Sequence, residues 1–177
     1  LCGQVCPTGA INHYQQPEQR IIEANALVLS TGYRLMEDYP KKAYGAVAQS
    51  PNVITSLQME RLLAPHGPYQ RMLRPSDGKE PESVAFIQCA GSRDLSLGVP
   101  YCSRVCCMYA IKQAMLVSGA LPLADITIYY MDIRAFGKNF EQFYQNARAM
   151  GVEFVKAKPV IVGEGEERSS LEADIAT

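Results

Sequence analysis

Apolar positions along the chain fall into short runs and helical stripes separated by turn-rich stretches. Asn25–Leu29 (NALVL) is a continuous apolar run of strand length, preceded by a short apolar-centred run at Arg20–Glu23, and the two predict a strand pair. Residues 34–82 contain Pro40, Pro51, Pro65, Pro68, Pro75 and Pro81 and read as loop-rich. One helix is predicted there, over Ser56–Leu63, with Ser56 as N-cap and Leu57, Met59, Leu62 and Leu63 partly buried. The turn residues of Arg74–Lys79 mark a boundary between two structural units.

Beyond that turn the pattern becomes regular. Ser83–Gln88, Asp125–Met131 and Val152–Val155 read as strands. Between the first two, residues 103–118 place Met108, Ile111 and Met115 at i, i+3 and i+7 on one helical face, with Ser103 able to cap the start and Gly119 the end. Asn139–Met150 sets Phe140, Phe143, Tyr144 and Ala147 on one face of a second helix, closed by Gly151. Strand, helix, strand, helix, strand predicts parallel pairing through right-handed crossovers, or half of a Rossmann-type sheet. The fold class is therefore α/β, with a partial Rossmann-like nucleotide-binding unit.

The 177 residues suffice for one domain or parts of two, and 47% of them are hydrophobic. A net charge of −1 provides no electrostatic case for binding nucleic acid or an anionic membrane. No apolar run is long enough to span a bilayer, which argues against direct membrane insertion. Six cysteines lie in two clusters, with none between Cys6 and Cys89. Such clustering points to a reduced, cytoplasmic protein that uses cysteine for metal binding or redox chemistry.

The second cluster is the most specific signal. Cys89, Cys102, Cys106 and Cys107 follow a C-x12-C-x3-C-C spacing, with Cys89 at the end of the first predicted strand and the others around the first turn of the helix. A dinucleotide-binding unit carries G-x-G-x-x-G at that turn, whereas this one reads C-A-G-S-R-D and keeps only Gly91, which disfavours ordinary NAD binding. A helix N-terminus favours negative charge, so a thiolate-held cluster suits this position. Cys102 and Cys106 are four apart and can share a helix face, while Cys107 points about 100° away. A four-iron cluster is the leading reading. Zinc, which prefers paired C-x2–4-C knuckles, a redox disulfide such as Cys89 with Cys102, and four unrelated buried thiols are the alternatives.

Smaller signals accompany it. Cys2, Cys6 and Pro7 match the end of a ferredoxin-type C-x2-C-x2-C-x3-C-P run whose first two cysteines would precede Leu1, so the chain is expected to be a fragment. Two ligands cannot complete such a site, and Cys2 and Cys6 are expected to hold no cluster by themselves. Thr31-Gly32 after the NALVL run allows close backbone approach to a ligand, or simply a turn. Arg93 and Arg104 flank the cysteine loop and could donate to a cluster and raise its potential, or simply pair with Asp94. Tyr101 and Tyr109 could cover it from water or merely pack. Arg134 and Lys138 could face a phosphate or an acidic partner, with a solvated loop as the simpler reading. His13 and His66 have no ligand spacing to a cysteine, and no Ser-His-Asp set or carboxylate pair suggests hydrolysis.

The run AFIQCAGSRD…YCSRVCCMYAIKQAM resembles the A subunit of heterodisulfide reductase, and is similar to the related flavin subunits of the quinone-interacting membrane-bound oxidoreductase of sulfate reducers. ALVLSTGY, SPNVITSLQMERLL, LRPSDGKEP and MDIRAFGKNFEQFYQNARAMGVEF extend the likeness over nearly the whole chain. The resemblance implies a thioredoxin-reductase-like flavoprotein. Residues 1–12 would end an inserted ferredoxin-type segment, 13–82 would be part of the FAD-binding domain and a connecting segment, and 83–177 would be an NAD-domain-like βαβ unit carrying the cysteines. Cys89, Cys102, Cys106 and Cys107 would ligate a non-standard [4Fe-4S] cluster, Cys2 and Cys6 would belong to the ferredoxin segment, and Thr31 and Gly32 would lie against FAD. Ser30 replaces the family's usual alanine, and the Gly-rich FAD fingerprint is not among these residues, so FAD would be held mostly by other parts of the polypeptide. The implied role is electron relay between FAD and the cluster, in a redox complex with other subunits. Homodimer formation and attachment to a membrane-bound complex are further expectations.

Overall fold

The computed structural model describes residues 2–35, 49–164 and 171–175. The chain forms two compact units, Leu1–Arg34 and Leu35–Thr177.

The first unit opens with a single helical turn, α1 (Cys2–Val5). Past Pro7 the chain reverses through a turn closed by the Gly9 amide on the Cys6 carbonyl (3.2 Å), with Gly9 in the left-handed region that favours glycine. The predicted strand pair at Arg20–Glu23 and Asn25–Leu29 does not form. Ile21, Ile22, Leu27, Val28 and Leu29 are exposed, and no ladder includes them. A strand is stabilised by its cross-strand neighbours, and the described residues place none beside this run.

The second unit contains the helix α2 (Ser56–Leu63), as the pattern predicts, but its cap is Thr55. Thr55 Oγ1 accepts from the Gln58 amide while the Gln58 side chain accepts from the Thr55 amide, a reciprocal capping box. Met59 and Leu62 are buried, whereas Leu57 faces out. The Arg74–Lys79 turn is present, tied by the Arg74–Asp77 ion pair, but the compact units divide at Arg34/Leu35 instead. The reason is packing: Met59, Leu62 and Met72 join the same core as the βαβ elements.

That core packs against a parallel sheet of order β1-β2-β3, formed by β1 (Ser83–Ile87), β2 (Asp125–Tyr130) and β3 (Glu153–Lys156). The connecting helices are α3 (Cys106–Ala120) and α4 (Phe140–Ala149). A further antiparallel pair joins β4 (Pro159–Glu164) and β5 (Leu171–Ile175). Burial alternates along the first half of β2, where Ile126 and Ile128 enter the core between exposed or half-buried neighbours. Ile111, Ala114 and Val117 of α3 meet them, all fully shielded from water. Tyr144 of α4 stands edge-on to Phe154 of β3 (centroids 4.7 Å apart) and packs against the same core. Before α4, a Cβ on Gly137 would meet the Phe140 ring at 2.9 Å, so only glycine lets that ring lie against the turn.

One polar bridge crosses α2 and α3. Glu60 accepts from Lys112 and from the buried Gln113 (3.0 Å), and Gln113 also donates to the Ser56 carbonyl (2.9 Å). The Lys112 hydrogen bond, with that of Gln113, holds the Glu60 carboxyl below the usual carboxylate range.

Ile111→Ala should cost about 2–5 kcal/mol in denaturant unfolding, whereas Leu123→Ala at an exposed site should cost under about 0.5 kcal/mol; equal losses would place the core elsewhere. A depressed folded pKa adds stability above the unfolded value of about 4.3 that disappears as pH falls through the folded one. Glu60→Gln should therefore cost up to about 1 kcal/mol at neutral pH, the pair being nearly half exposed. The gap between variant and wild type should close in acid titrations.

Candidate metal centre

β1 delivers Cys89 to the carboxyl edge of the sheet, where the Gln88 amide still pairs with the Tyr129 carbonyl of β2 (3.0 Å). The chain then turns sharply. Cys89 and Arg93 are non-glycine residues in the left-handed region, with φ of 59° each, and the Ser92 amide donates to the Cys89 carbonyl (3.2 Å). A short hairpin follows, with Asp94 and Val99 exchanging backbone hydrogen bonds around a 3-10 turn at Leu95–Leu97.

Ser92 ties the two ends of this loop. Its hydroxyl donates to the Tyr101 carbonyl (2.9 Å) and accepts from the Ser103 amide (3.2 Å), while the Arg93 amide also reaches the Tyr101 carbonyl (3.1 Å). These bonds bring Cys102 back to the strand end that Cys89 occupies. Arg104 then takes a left-handed conformation (φ 65°), which delays α3 until Cys106, three residues beyond the predicted start. Ser103 caps no helical amide; its hydroxyl meets Cys106 Sγ (3.4 Å). The Arg104 amide donates to Cys102 Sγ (3.3 Å), and Cys107 Sγ lies 3.8 Å from the Asp132 carbonyl.

Cys89 and Cys107 are buried, while Cys102 and Cys106 are partly open. A hydrogen bond from the Cys107 thiol favours charge on Cys106, which is held at about 6, and the same bond with burial pushes Cys107 strongly up. Burial, then the nearby Cys106 charge, raises Cys89, against the pull of Arg93. Arg93 pairs with Asp132 across the strand ends, not with Asp94, which instead accepts from Ser96 and pairs with Lys158. Arg134 pairs with the same Asp132 (3.0 Å). Cys102, Arg104, Arg134 and Phe136 line an open hollow of about 370 Å³, with the Arg104 guanidinium 4.7 Å over the Phe136 ring.

Among the described residues, no three His, Cys, Asp or Glu side chains are arranged around a point where one metal ion could sit. A four-iron cluster makes a different demand, because its four cysteines bind separate irons. The donor set fits such a group: soft thiols, a backbone N–H already on sulfur, and guanidiniums nearby.

The remaining predicted residues lie in the first unit. Cys2 and Cys6 sit on and after α1, and Cys6, hydrogen-bonded to Thr8, is held at about 7. Thr31 and Gly32 lie in an exposed segment without regular secondary structure, Gly32 at φ 76° with open space where a Cβ would be. Tyr101 contributes its carbonyl, while its ring points to solvent. Ser92 and Asp132 escaped the sequence reading. Asp132 had one available signal: it closes a strand predicted to run parallel beside the one that ends in Cys89.

No family model matches the chain. Curated relatives do. It is 46% identical over 169 residues to the A subunit of the H(2):CoB-CoM heterodisulfide,ferredoxin reductase of Methanothermobacter marburgensis. It is 48% identical over 168 residues to the A subunit of the ferredoxin:CoB-CoM heterodisulfide reductase of Methanosarcina mazei, and 42% over 173 residues to the iron-sulfur A subunit of the CoB--CoM heterodisulfide reductase of Methanocaldococcus jannaschii. These matches cover 94–97% of this chain but only 21–26% of the relatives, so the chain spans about a quarter of their length. The chain thus matches the family of heterodisulfide reductase A subunits that its cysteine spacing resembles.

Thiol exposure and charge predict an order of reaction. In iron-free protein, iodoacetamide should modify Cys106 at least about tenfold faster than Cys107, because the thiolate is the nucleophile. The Cys106 rate should level off above neutral pH and fall as pH drops through about 6. Peptide mapping that finds equal rates for the two would contradict this arrangement.

Proposed function

We propose that this chain is part of a flavin- and iron–sulfur-dependent oxidoreductase subunit that relays electrons between FAD and a [4Fe-4S] cluster. Cys89, Cys102, Cys106 and Cys107 would hold the cluster, Cys2 and Cys6 would serve a ferredoxin-type segment, and Thr31 and Gly32 would lie against FAD. The observation that carries the reading is the convergence of the four-cysteine loop on the carboxyl edge of a parallel sheet, beside the start of α3. The relatives named as A subunits of heterodisulfide reductases, one of them described as iron-sulfur, support the same class of chemistry.

When bound, the cluster supplies one-electron transfer at a potential set by its surroundings. The chain's own residues supply the rest. Ser92 closes the loop so that Cys89 and Cys102 converge, and the Arg104 amide donates to Cys102 sulfur. Burial of Cys89 and Cys107 keeps water from two of the four sulfurs. Substrate chemistry and partner subunits belong to the whole complex, in which this polypeptide would work in the cytoplasm or against a membrane-bound partner; no helix among the described residues is long and apolar enough to cross a membrane. A thiol–disulfide function is the second reading, favoured by the hydrogen-bonded Cys106–Cys107 pair, in which Cys106 is held at about 6.

In the full-length protein purified without oxygen, Cys106→Ser should remove about four irons and four sulfides per chain relative to wild type. Gly32→Val should lower FAD content while leaving that iron in place. An unchanged iron count in the cysteine variant, together with a disulfide that forms and reduces reversibly, would replace the cluster reading with the thiol one.

A further inference from the structure

We propose that Asp132 is the positioning residue of the thiol site, holding Arg93 and Arg134 against the cysteines and so raising the potential of the group they bind. The inference rests on the iron–sulfur reading above.

Asp132 lies two residues beyond β2, on the same sheet edge as Cys89. Its two carboxylate oxygens are divided between two arginines. Oδ1 takes Arg93 Nη1, and Oδ2 takes Nε and Nη2 of Arg134 at 3.1 and 3.0 Å. Its backbone carbonyl lies 3.8 Å from Cys107 Sγ. One residue therefore touches the arginine that faces Cys89, the arginine that lines the hollow with Cys102, and Cys107 itself.

A guanidinium presents its donors in a rigid planar fork, but the stem that carries it is flexible. Arg93 and Arg134 stand on loops after β1 and β2, and their ion pairs with Asp132 are what fix where the forks point. Arg104 is fixed separately, over Phe136. Three guanidiniums less one carboxylate leave a net positive surround, and positive charge and hydrogen bonds near thiolate sulfur favour the reduced, more negative state of a cluster.

The sign of the effect separates positioning from simple charge. Removing a carboxylate should raise the potential if its charge were all that mattered. Removing a tether that holds two cations in place should lower it. The test is a redox titration of the full-length protein, followed by electron paramagnetic resonance, with iron and sulfide counted on each sample.

Asp132→Asn should keep its iron and shift the potential down, so that at a fixed poise the reduced-to-oxidised ratio falls about tenfold, or about 59 mV for one electron. Asp132→Glu should recover part of the shift. Arg134→Gln should also lower the potential, and should add less than half of its own shift in the Asp132→Asn background. An iron-replete Asp132→Asn protein with an unchanged or raised potential would overturn the inference alone. If that variant loses its iron, Arg134→Gln decides: a lowered potential supports the role and an unchanged one overturns it. Wild type lacking the iron assigned to the four cysteines would overturn the cluster reading, and this inference with it.

Discussion

The parallel pairing of β1 with β2 is the constraint on which the site depends. Its register, with Ile87 opposite Tyr129, sets the carboxyl ends of the two strands side by side. Cys89 leaves one end and Asp132 the other, and both chains leave the ladder there with side chains free to converge. In open α/β sheets this edge is where ligands bind, because the loops that leave the strands are released from the ladder and face the helix N-termini. Here the loop carries thiols where a phosphate-binding turn would carry glycines.

The loop maintains that placement by local bonds. Ser92 is a small polar residue that bridges two backbone groups from the far end of the loop, so the separation of Cys89 from Cys102 in sequence is closed in space. Left-handed backbone at Cys89, Arg93 and Arg104 makes the corners, and each such residue stores strain that surrounding contacts must offset. For Arg93 that contact is Asp132, and for Arg104 it is the Phe136 ring. Strained corners and arginine contacts thus belong to one arrangement around the cysteines.

Much of the βαβ unit was legible in the residues. The strands at Ser83, Asp125 and Glu153 and the helices between them follow from apolar runs and helical stripes, because burial on one face leaves a periodic trace. The same logic failed at NALVL, whose composition suits a buried strand but which has no neighbouring strand among the described residues. Composition records what a segment can bury; pairing depends on what lies beside it. The start of α3 was misplaced because Ser103 looks like a cap, while its hydroxyl turns to Cys106 sulfur instead. The cysteines were visible by spacing alone. Asp132 was not: Arg134 stands two residues away, but Arg93 is brought to it only by the sheet.

The central claim, that Cys89, Cys102, Cys106 and Cys107 together hold a four-iron cluster, is tested most directly by anomalous diffraction at the iron edge from anaerobic crystals of the full-length protein. The account predicts a compact group of four iron peaks enclosed by those four sulfurs, at the carboxyl edge of β1 and the start of α3. A single peak at the zinc edge, or four thiols with no metal among them while the ferredoxin-type sites of the same crystals hold their iron, would contradict it.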